Sequence, residues 1–418
     1  MKRRNFIHLS AIGLGASIIP SLSPLPVKAS GIPISKASPE VLVIGAGAFG
    51  GWTAYHLRKK GISVTLLDAY GPGNSRASSG GETRLMQVDN DNHVYVKSGI
   101  RAFGLWKELE EVSGQKLVLP TGRLAMSTEE SFKALAMSRK EQLQKFDILD
   151  TEILDQDEIR RRWPQIFTDD LQSALYNSGG PAGSTLMARK GCQTVASEFT
   201  KLGGKFQIAQ AMPLISSSGE IEGIKLANGE VLRADHYVFA CGPWLGKIFP
   251  DLLAKRLQVQ RRDVLFYGLP PGDARFAYPN FPEWSVQGSG WYGFPDIENR
   301  GLKAAPYPDH NSIDPDTDER IVTAQQIKRG HDFLRHRFPT MANMPITETR
   351  VCQVTNSTDS NFIIDKHPEM DKVWIAGGGS GHGFKHGPSV GEYVSQRVLG
   401  EATPEDYDNT FKLKEETF

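Results

Sequence analysis

Three glycines near the start of the chain have the spacing of a loop that holds the pyrophosphate of a dinucleotide. Gly45, Gly47 and Gly50 follow the apolar segment 40–44 and open a segment with a helical pattern. In such a loop the first glycine permits a tight turn, the second lets the backbone approach the phosphates, and the third lets the helix pack closely on the strand. Free N–H groups at the helix start attract the phosphates. A purely structural glycine turn is the alternative interpretation.

Asp68 supplies the acid that such a site needs for the ribose. It follows Gly45 by 23 residues and ends a second apolar segment, 62–67, which comes after the helical pattern of 51–60. A carboxylate here can accept a hydrogen bond from a ribose 2′-OH and would repel the 2′-phosphate of NADP. The order of strand, glycine loop, helix, strand and acid predicts a β-α-β dinucleotide unit. These residues alone do not separate FAD from NAD.

Other segments must position this unit and build the rest of the molecule. Periodicity predicts helices over 97–112, 128–145, 186–201 and 323–337, and strands within 220–240 around an Asn228-Gly229 turn. A strand at 372–376 runs into a glycine-rich segment at 377–383, and a helix follows at 388–399. Because strand, glycine turn and helix recur at the carboxyl end, we predict a discontinuous cofactor-binding domain. It comprises residues 39–120, 185–252 and 352–405, and a substrate domain comprises 121–184 and 253–351.

Composition and charge exclude several classes of protein. The 418 residues include 48 Lys and Arg and 48 Asp and Glu, and no basic stripe predicts binding to nucleic acid. The histidines and cysteines show no HExxH or CxxC spacing, so we predict no metal site. Cys192, Cys241 and Cys352 are an odd number of cysteines and make no disulfide framework.

The first 29 residues have the three regions of an export signal. Arg3 and Arg4 precede Phe6 and Ile7, a mildly apolar run extends over 7–19, and a Pro/Ser-rich stretch ends at Ala29. The run is too short for an ordinary membrane-spanning helix. The pattern resembles a twin-arginine signal, which predicts the twin-arginine export machinery as a partner and a periplasmic or secreted mature chain. An uncleaved anchor is the alternative.

Four segments carry a resemblance to a known family. They are V-L-V-I-G-A-G-A-F-G at 41–50 with Asp68, S-G-G-E-T-R-L-M at 79–86, W-Y-G-F-P with G-L-K within 291–303, and the segment 351–385, which ends in G-S-G-H-G-F-K. In this order they resemble the D-amino-acid-oxidase superfamily of FAD enzymes, and within it the sarcosine oxidase and N-methyltryptophan oxidase group. The resemblance implies an α/β fold with a Rossmann-type FAD-binding domain and an inserted α+β substrate domain, whose mixed sheet roofs the flavin.

The same resemblance implies a chemistry and the residues that perform it. A hydride leaves a carbon next to nitrogen, the resulting imine is hydrolysed, and O₂ reoxidises the flavin with formation of hydrogen peroxide. The substrate would be a small amine and the enzyme a monomer. Cys352 matches the cysteine that couples to the flavin 8α-carbon, and Lys303 matches a lysine near flavin N5 that speeds reaction with O₂. A buried structural cysteine and a surface lysine are the alternatives.

Further positions match residues around the flavin and the substrate. Arg84 matches an arginine over one flavin face, Lys385 a lysine that binds the substrate carboxylate, and Tyr292 an active-site aromatic. Ordinary salt bridges and a core tyrosine are the alternatives. The cofactor-binding residues implied besides the first glycine loop are Thr83, Gly379, Gly381 and Gly383.

Two departures from the family pattern concern the substrate. Gln87 stands where the family has a second carboxylate-binding arginine, and Tyr307 stands where it has a histidine. Losing a bidentate guanidinium removes a strong planar contact, which disfavours a small N-methyl amino acid such as sarcosine and favours a bulkier, less anionic amine. Four aromatic residues either line a larger pocket or belong to the core: Phe276, Tyr278, Phe281 and Trp284.

Three functions remain open at this stage. The first is an FAD amine oxidase, which Lys303 favours. The second is a periplasmic FAD dehydrogenase of the same fold that passes electrons from an amine or a hydroxy compound to an acceptor other than O₂. The third is a flavoprotein without turnover, which the charged residues at matching positions disfavour.

Overall fold

The computed structural model describes residues 39–307 and 312–418. Residues 1–38, including the predicted export signal at 1–29, lie outside this part of the chain. Within it the strands are β1 (Glu40–Ile44), β2 (Ser63–Asp68), β3 (Thr83–Met86), β4 (Val118–Leu119), β5 (Arg123–Ser127), β6 (Thr151–Leu154), β7 (Ser173–Asn177), β8 (Ser184–Met187), β9 (Lys205–Ile208), β10 (Ala211–Ile215), β11 (Ile221–Leu226), β12 (Val231–Leu232), β13 (His236–Phe239), β14 (Leu257–Tyr267), β15 (Glu283–Gln287), β16 (Trp291–Phe294), β17 (Leu302–Pro306), β18 (Ile346–Ser357), β19 (Ile363–Lys366) and β20 (Val373–Gly377). The helices are α1 (Ala48–Lys59), α2 (His93–Ser113), α3 (Phe132–Gln144), α4 (Gln156–Arg162), α5 (Ala188–Lys201), α6 (Leu245–Ile248), α7 (Pro250–Leu253), α8 (Ala324–Arg337), α9 (Gly387–Leu399) and α10 (Glu405–Phe411). None of the helices in these residues is long and apolar enough to cross a membrane.

A six-stranded sheet forms the first layer, in the order β19-β20-β13-β1-β2-β9. All its neighbours are parallel except β19, which runs antiparallel to β20. After Glu40, strand β1 is apolar because both its faces are covered: Val41 and Val43 pack in one core, and Leu42 and Ile44 pack in another. The predicted β-α-β unit is confirmed as β1, α1 and β2.

The second layer is an eight-stranded sheet in the order β18-β14-β17-β16-β15-β5-β7-β6. Strands β15 and β5 are parallel, whereas the other neighbours are antiparallel. The α/β class with a mixed second sheet is therefore confirmed. One face of this sheet packs on an aromatic core that includes Trp291, Phe333 and Phe338.

The four uncertain aromatic residues do not line a pocket. Phe276, Phe281 and Trp284 are fully buried in the core of the eight-stranded sheet. Tyr278 packs against a small cluster that includes Leu119. Alternation along β15 explains the position of Trp284, because neighbouring residues of a strand point to opposite faces. The core interpretation is correct, and a larger aromatic pocket built from these residues is excluded.

Helix boundaries differ from those predicted where a cap or a strand intervenes. Helix α2 begins at His93 because the side chain of Asn92 accepts a hydrogen bond from the N–H of Val94, 2.9 Å away. Helix α3 begins only at Phe132, because residues 128–131 form the bend and turn that connect β5 to the helix. Helix α5 likewise begins at Ala188, after the strand β8.

The two-domain division stays a prediction, because the described residues belong to one compact unit. Both sheets draw strands from widely separated parts of the chain. The predicted boundary between residues 351 and 352 lies inside β18, which runs from Ile346 to Ser357 and pairs along its length with β14.

Candidate active site

The glycine loop between β1 and α1 is closely packed, which explains why it needs glycine. A Cβ on Gly45 would lie 2.4 Å from the carbonyl oxygen of Ala240, and its φ of +104° is in the region that favours glycine. A Cβ on Gly50 would lie 1.9 Å from the carbonyl oxygen of Gly45. Gly47 meets only the side chain of Ser79, at 3.2 Å. The loop therefore holds the start of α1 against the sheet and exposes its backbone at Gly47.

Asp68 braces this loop. One carboxylate oxygen accepts a hydrogen bond from the N–H of Ala46 at 2.8 Å, and the other accepts from Tyr70 at 2.9 Å and Gly71 at 2.8 Å. Burial raises the pKa of Asp68, and these backbone bonds oppose that shift. Sequence reasoning placed Asp68 at a ribose but did not foresee that it ties the glycine loop to the end of β2.

A cavity of about 590 Å³ extends from this loop to the eight-stranded sheet. It is lined by all the predicted site residues except Gly50, whose predicted role is packing. These residues are Gly45, Gly47, Asp68, Thr83, Arg84, Tyr292, Lys303, Cys352, Gly379, Gly381, Gly383 and Lys385. The structure thus brings together residues that are more than 300 positions apart in the chain.

Strand alternation decides which side chains of the eight-stranded sheet reach the cavity. Trp284 and Leu302 face the aromatic core, whereas Glu283 and Lys303 face the cavity. The cavity face continues across the sheet, because residues that pair on neighbouring strands line the cavity together. The pairs are Arg262 with Cys352, Phe294 with Lys303, Ser285 with Tyr292, and Arg123 with Glu283.

Lys303 is buried at the centre of this face, with 4% of its surface exposed. Its Nζ donates to the hydroxyl oxygen of Thr83 at 3.1 Å and to the carbonyl oxygen of Thr83 at 3.2 Å. It also lies 4.6 Å from the ring centre of Phe294. Burial, with the charge of Arg84 as a smaller cause, lowers the pKa of Lys303 to about 7. The surface-lysine alternative is therefore wrong.

Lys385 faces the cavity from the short turn between β20 and α9, close to Arg123 and Glu283 of the eight-stranded sheet. It is 5% exposed, and burial lowers its pKa to about 8. Among the residues that the structure describes, its ammonium group has no hydrogen-bond or ion-pair partner. A buried cation without a partner suits an anionic group of a ligand.

Arg84 and Tyr292 occupy the cavity wall in different ways. The Arg84 guanidinium donates to the carbonyl oxygens of Thr83 at 2.8 Å and Ser78 at 2.7 Å, and thus ties together the loop that precedes β3. It forms none of the ion pairs seen in the described part of the chain. Tyr292 is half-buried rather than in the core, and Arg262 donates to its hydroxyl at 3.3 Å. Its predicted role stays a prediction.

A buried charge cluster beside the cavity was missed by sequence reasoning. Arg123 donates to Asp89 at 2.5 Å, and its Nε lies 3.5 Å from Glu283. Both Arg123 and Glu283 line the cavity and are almost fully buried. The sequence does contain a sign of these two residues. Each is a charged residue at the start of a mostly apolar strand, R-L-A-M-S for Arg123 and E-W-S-V-Q for Glu283. Arg262, in the middle of β14 on the same face, was also missed.

All three cysteines are free. Cys352 is half-buried on β18 and lines the cavity beside Arg262. Burial raises the pKa of Cys192 to about 12 and that of Cys241 further still, which keeps these thiols protonated. Within residues 39–307 and 312–418 no group of His, Cys, Asp or Glu side chains could hold a metal ion.

Comparison with known proteins finds a matching family model, related sequences and a similar fold. The family model of FAD dependent oxidoreductases, abbreviated DAO, matches residues 40–397. Monomeric sarcosine oxidase of Bacillus sp. (strain B-0618) is 32% identical over 379 residues, which cover 88% of this chain and 94% of that protein. N-methyl-L-tryptophan oxidase of Yersinia pestis is 26% identical over 375 residues, 88% of this chain and 96% of that protein. Fructosyl peptide oxidase from E. terrenum has the same fold, with a TM-score of 0.79 at 20% identity over 92% of this chain and 94% of that one.

The bracing of the glycine loop predicts the effect of removing the Asp68 carboxylate. The variant Asp68→Ala loses three charge-assisted backbone bonds, so we expect it to bind FAD at least about tenfold more weakly. The measurement is the flavin bound per chain after gel filtration, with Cys352→Ser as the background of both variants so that no covalent link retains the cofactor. Asp235→Ala is the matched control, since Asp235 accepts a backbone hydrogen bond from Glu40 at 2.9 Å at the far end of β1. Equal flavin contents in the two variants would contradict this role.

Proposed function

Because the chain belongs to the DAO family of FAD-dependent oxidoreductases, we propose that it binds FAD in this cavity and oxidises an amine. The substrate is a secondary amine or an amine resembling an N-methyl amino acid, as the names of the sarcosine and N-methyl-L-tryptophan oxidases indicate for those relatives. A hydride leaves the carbon next to nitrogen for the flavin, and water hydrolyses the imine. Electrons then pass to O₂, which gives hydrogen peroxide.

The observation that carries this proposal is a cavity that joins the glycine loop to two buried lysines. The loop and the start of α1 suit a pyrophosphate, and Lys303 and Lys385 lie where the same cavity meets the eight-stranded sheet. Positive charge in a buried site stabilises negative charge that develops during a reaction. A dinucleotide and a small substrate therefore fit in one continuous space.

Unpartnered polar atoms in the cavity wall support a polar cofactor there. The atoms Nδ1 of His382, Nε of Arg262 and Oγ1 of Thr355 are buried, and none has a hydrogen-bond partner in the described residues. Buried polar atoms in proteins nearly always have partners. The polar atoms of the flavin ring and ribityl chain would be the missing hydrogen-bond partners. The backbone of Gly379, Gly381 and Gly383 would contact the same part of the flavin.

Two lysines have separate roles in the proposed reaction. Lys385 binds the carboxylate or another electron-rich group of the substrate, because its buried ammonium has no partner among the described residues. Lys303 holds positive charge where O₂ would meet the reduced flavin, and that charge stabilises developing superoxide. The lowered pKa of Lys303, about 7, makes this charge sensitive to pH.

Anaerobic reduction of the bound flavin tests the proposed function. We expect one class of secondary or N-methyl amine to bleach the flavin, and readmitted air to restore the colour with formation of peroxide. Primary amines, sugars and hydroxy acids serve as comparison substrates. If no amine bleaches the flavin, the proposal is wrong. Bleaching followed by very slow recovery in air would favour the dehydrogenase with another electron acceptor.

The recovery phase also tests Lys303. Reoxidation by O₂ should slow between about pH 6 and about pH 9, because the lysine loses its positive charge as the pH rises through its lowered pKa. In Lys303→Met we expect slow reoxidation with little dependence on pH. Lys225→Met changes an exposed lysine of β11 and should behave as the wild type. A wild-type profile in the Lys303 variant would contradict the role in the reaction with O₂.

We also propose that the flavin is attached covalently to Cys352. Its thiol is half-buried in the wall of the cavity, beside Arg262 and Lys303. Cys192 and Cys241 lack this setting, since burial keeps both protonated.

Acid precipitation tests the covalent link. Wild-type protein should precipitate yellow, whereas Cys352→Ser should leave its flavin in the supernatant. Cys241→Ser is the control, because Cys241 lines the same cavity away from the eight-stranded sheet. Flavin released entirely from the wild type would disprove covalent attachment.

Residues 1–29 are proposed to direct the folded, cofactor-loaded chain through the twin-arginine route to the periplasm or the medium. Cell fractionation should find the wild type outside the cytoplasm with Ser30 at its N-terminus. The double variant Arg3→Lys, Arg4→Lys should remain in the cytoplasm with the signal intact. A wild-type chain held in the membrane with its first residues present would indicate the anchor instead.

A further inference from the structure

Glu283 places a buried carboxyl group on the cavity face of the eight-stranded sheet. Its side chain is fully buried and lines the cavity. Neither of its oxygens accepts a hydrogen bond from any described residue. Leaving such a group unsatisfied is costly, and the cost is larger for a charge than for a neutral group.

The ion pair of Glu283 with Arg123 does not compensate for this cost. The separation from Arg123 Nε is 3.5 Å, whereas the same guanidinium bonds Asp89 at 2.5 Å. Arg139 also approaches Asp89, at 3.5 Å, and not Glu283. Two acids therefore share Arg123, and Asp89 holds its stronger contact.

The charges of Lys385 and Lys303 also reach Glu283, but neither lysine donates a hydrogen bond to its oxygens. Gln87 lines the cavity two residues before Asp89, and its Oε1 is buried without a hydrogen-bond partner in the described residues. Its amide brings no positive charge. Ser285, the next residue on this face of β15, has a buried hydroxyl that is also unpartnered in the described part of the chain. No cation of the described residues thus donates a hydrogen bond to Glu283.

The distance from Lys303 shows which part of a substrate would reach Glu283. Trp284 of β15 pairs with Gly293 of β16, which sets Glu283 beside Phe294. Phe294 in turn pairs with Lys303 of β17, so Glu283 and Lys303 lie two strands apart. Neighbouring strands are about 4.8 Å apart, which gives roughly 10 Å between the two backbones. Glu283 is therefore placed for a remote substituent of the substrate and not for the carbon that loses hydride.

We propose that Glu283 determines substrate specificity by binding a second cationic group of the substrate, an ammonium or a guanidinium, remote from the nitrogen that is oxidised. The inference rests on the proposed amine oxidation and narrows its substrate class to amines that carry a further positive charge. Gln87 and Ser285 add hydrogen bonds to the same group. Burial raises the pKa of Glu283 to about 8 against the opposing charge of Arg123, and a bound cation would favour the ionised form.

Matched substrates test this assignment in the holoenzyme. Nα-methyl-lysine carries a terminal ammonium, Nα-methyl-2-aminoheptanoate replaces it by a methyl group, and Nα-methyl-6-hydroxynorleucine replaces it by a hydroxyl. Anaerobic flavin reduction gives the rate and the dissociation constant for each. We expect the ratio of rate to dissociation constant to be at least about tenfold higher for the ammonium substrate than for either neutral one.

The variant Glu283→Gln should bring this preference close to unity, because the neutral amide no longer attracts the ammonium group of the substrate. A merely structural role would instead slow reduction by all three substrates alike. Glu220→Gln, in the exposed turn before β11, should keep the wild-type preference. Flavin content and absorbance spectrum show whether each variant is folded.

The wild-type comparison alone decides the proposal if Glu283→Gln does not fold. Equal reduction by the ammonium and methyl substrates overturns the Glu283 assignment but leaves amine oxidation intact. Equal reduction by the ammonium and hydroxyl substrates overturns the requirement for a cation. A panel in which no amine reduces the flavin overturns the proposed function itself.

Discussion

The two-residue alternation of the eight-stranded sheet is the constraint on which the rest of the site depends. Trp284 and Leu302 must face the aromatic core, and this forces Glu283 and Lys303 toward the cavity. A slip of one residue would turn the aromatic side chains into the cavity and the charges into the core. Burial of the apolar face thus fixes the register, and the register fixes which chemical groups meet the ligand.

Several buried ionisable groups converge on the cavity with fewer hydrogen bonds than their charged forms can make. Lys303 and Lys385 lie in surroundings that lower the pKa of each, and Glu283 lies in surroundings that raise its pKa. Each burial destabilises the ionised group and therefore the fold. Such groups concentrate at functional sites, because a ligand or a reaction intermediate supplies the missing partner. Their convergence on one cavity distinguishes this face of the sheet from the aromatic core behind it.

The glycine loop shows how a local motif depends on distant parts of the chain. Gly45 has no room for a Cβ because Ala240, just after β13, lies against it. Asp68 holds the loop from the end of β2 through the N–H of Ala46. The spacing of the glycines is visible in the sequence, but its necessity arises from the pairing of β1 with β2 and β13.

Local periodicity and spacing determined the β-α-β unit, the glycine loop and Asp68, because these signals span only a few turns and strands. Resemblance added Lys303, Lys385 and Cys352, whose meeting in one cavity no local pattern requires. Tertiary structure alone decided that Trp284 and its aromatic neighbours belong to the core, and that Arg123 and Glu283 belong to the site. Those two residues lie 160 positions apart and meet only because β5 and β15 pair in parallel. Such pairing depends on the burial of a whole sheet face, which a short stretch of sequence does not contain.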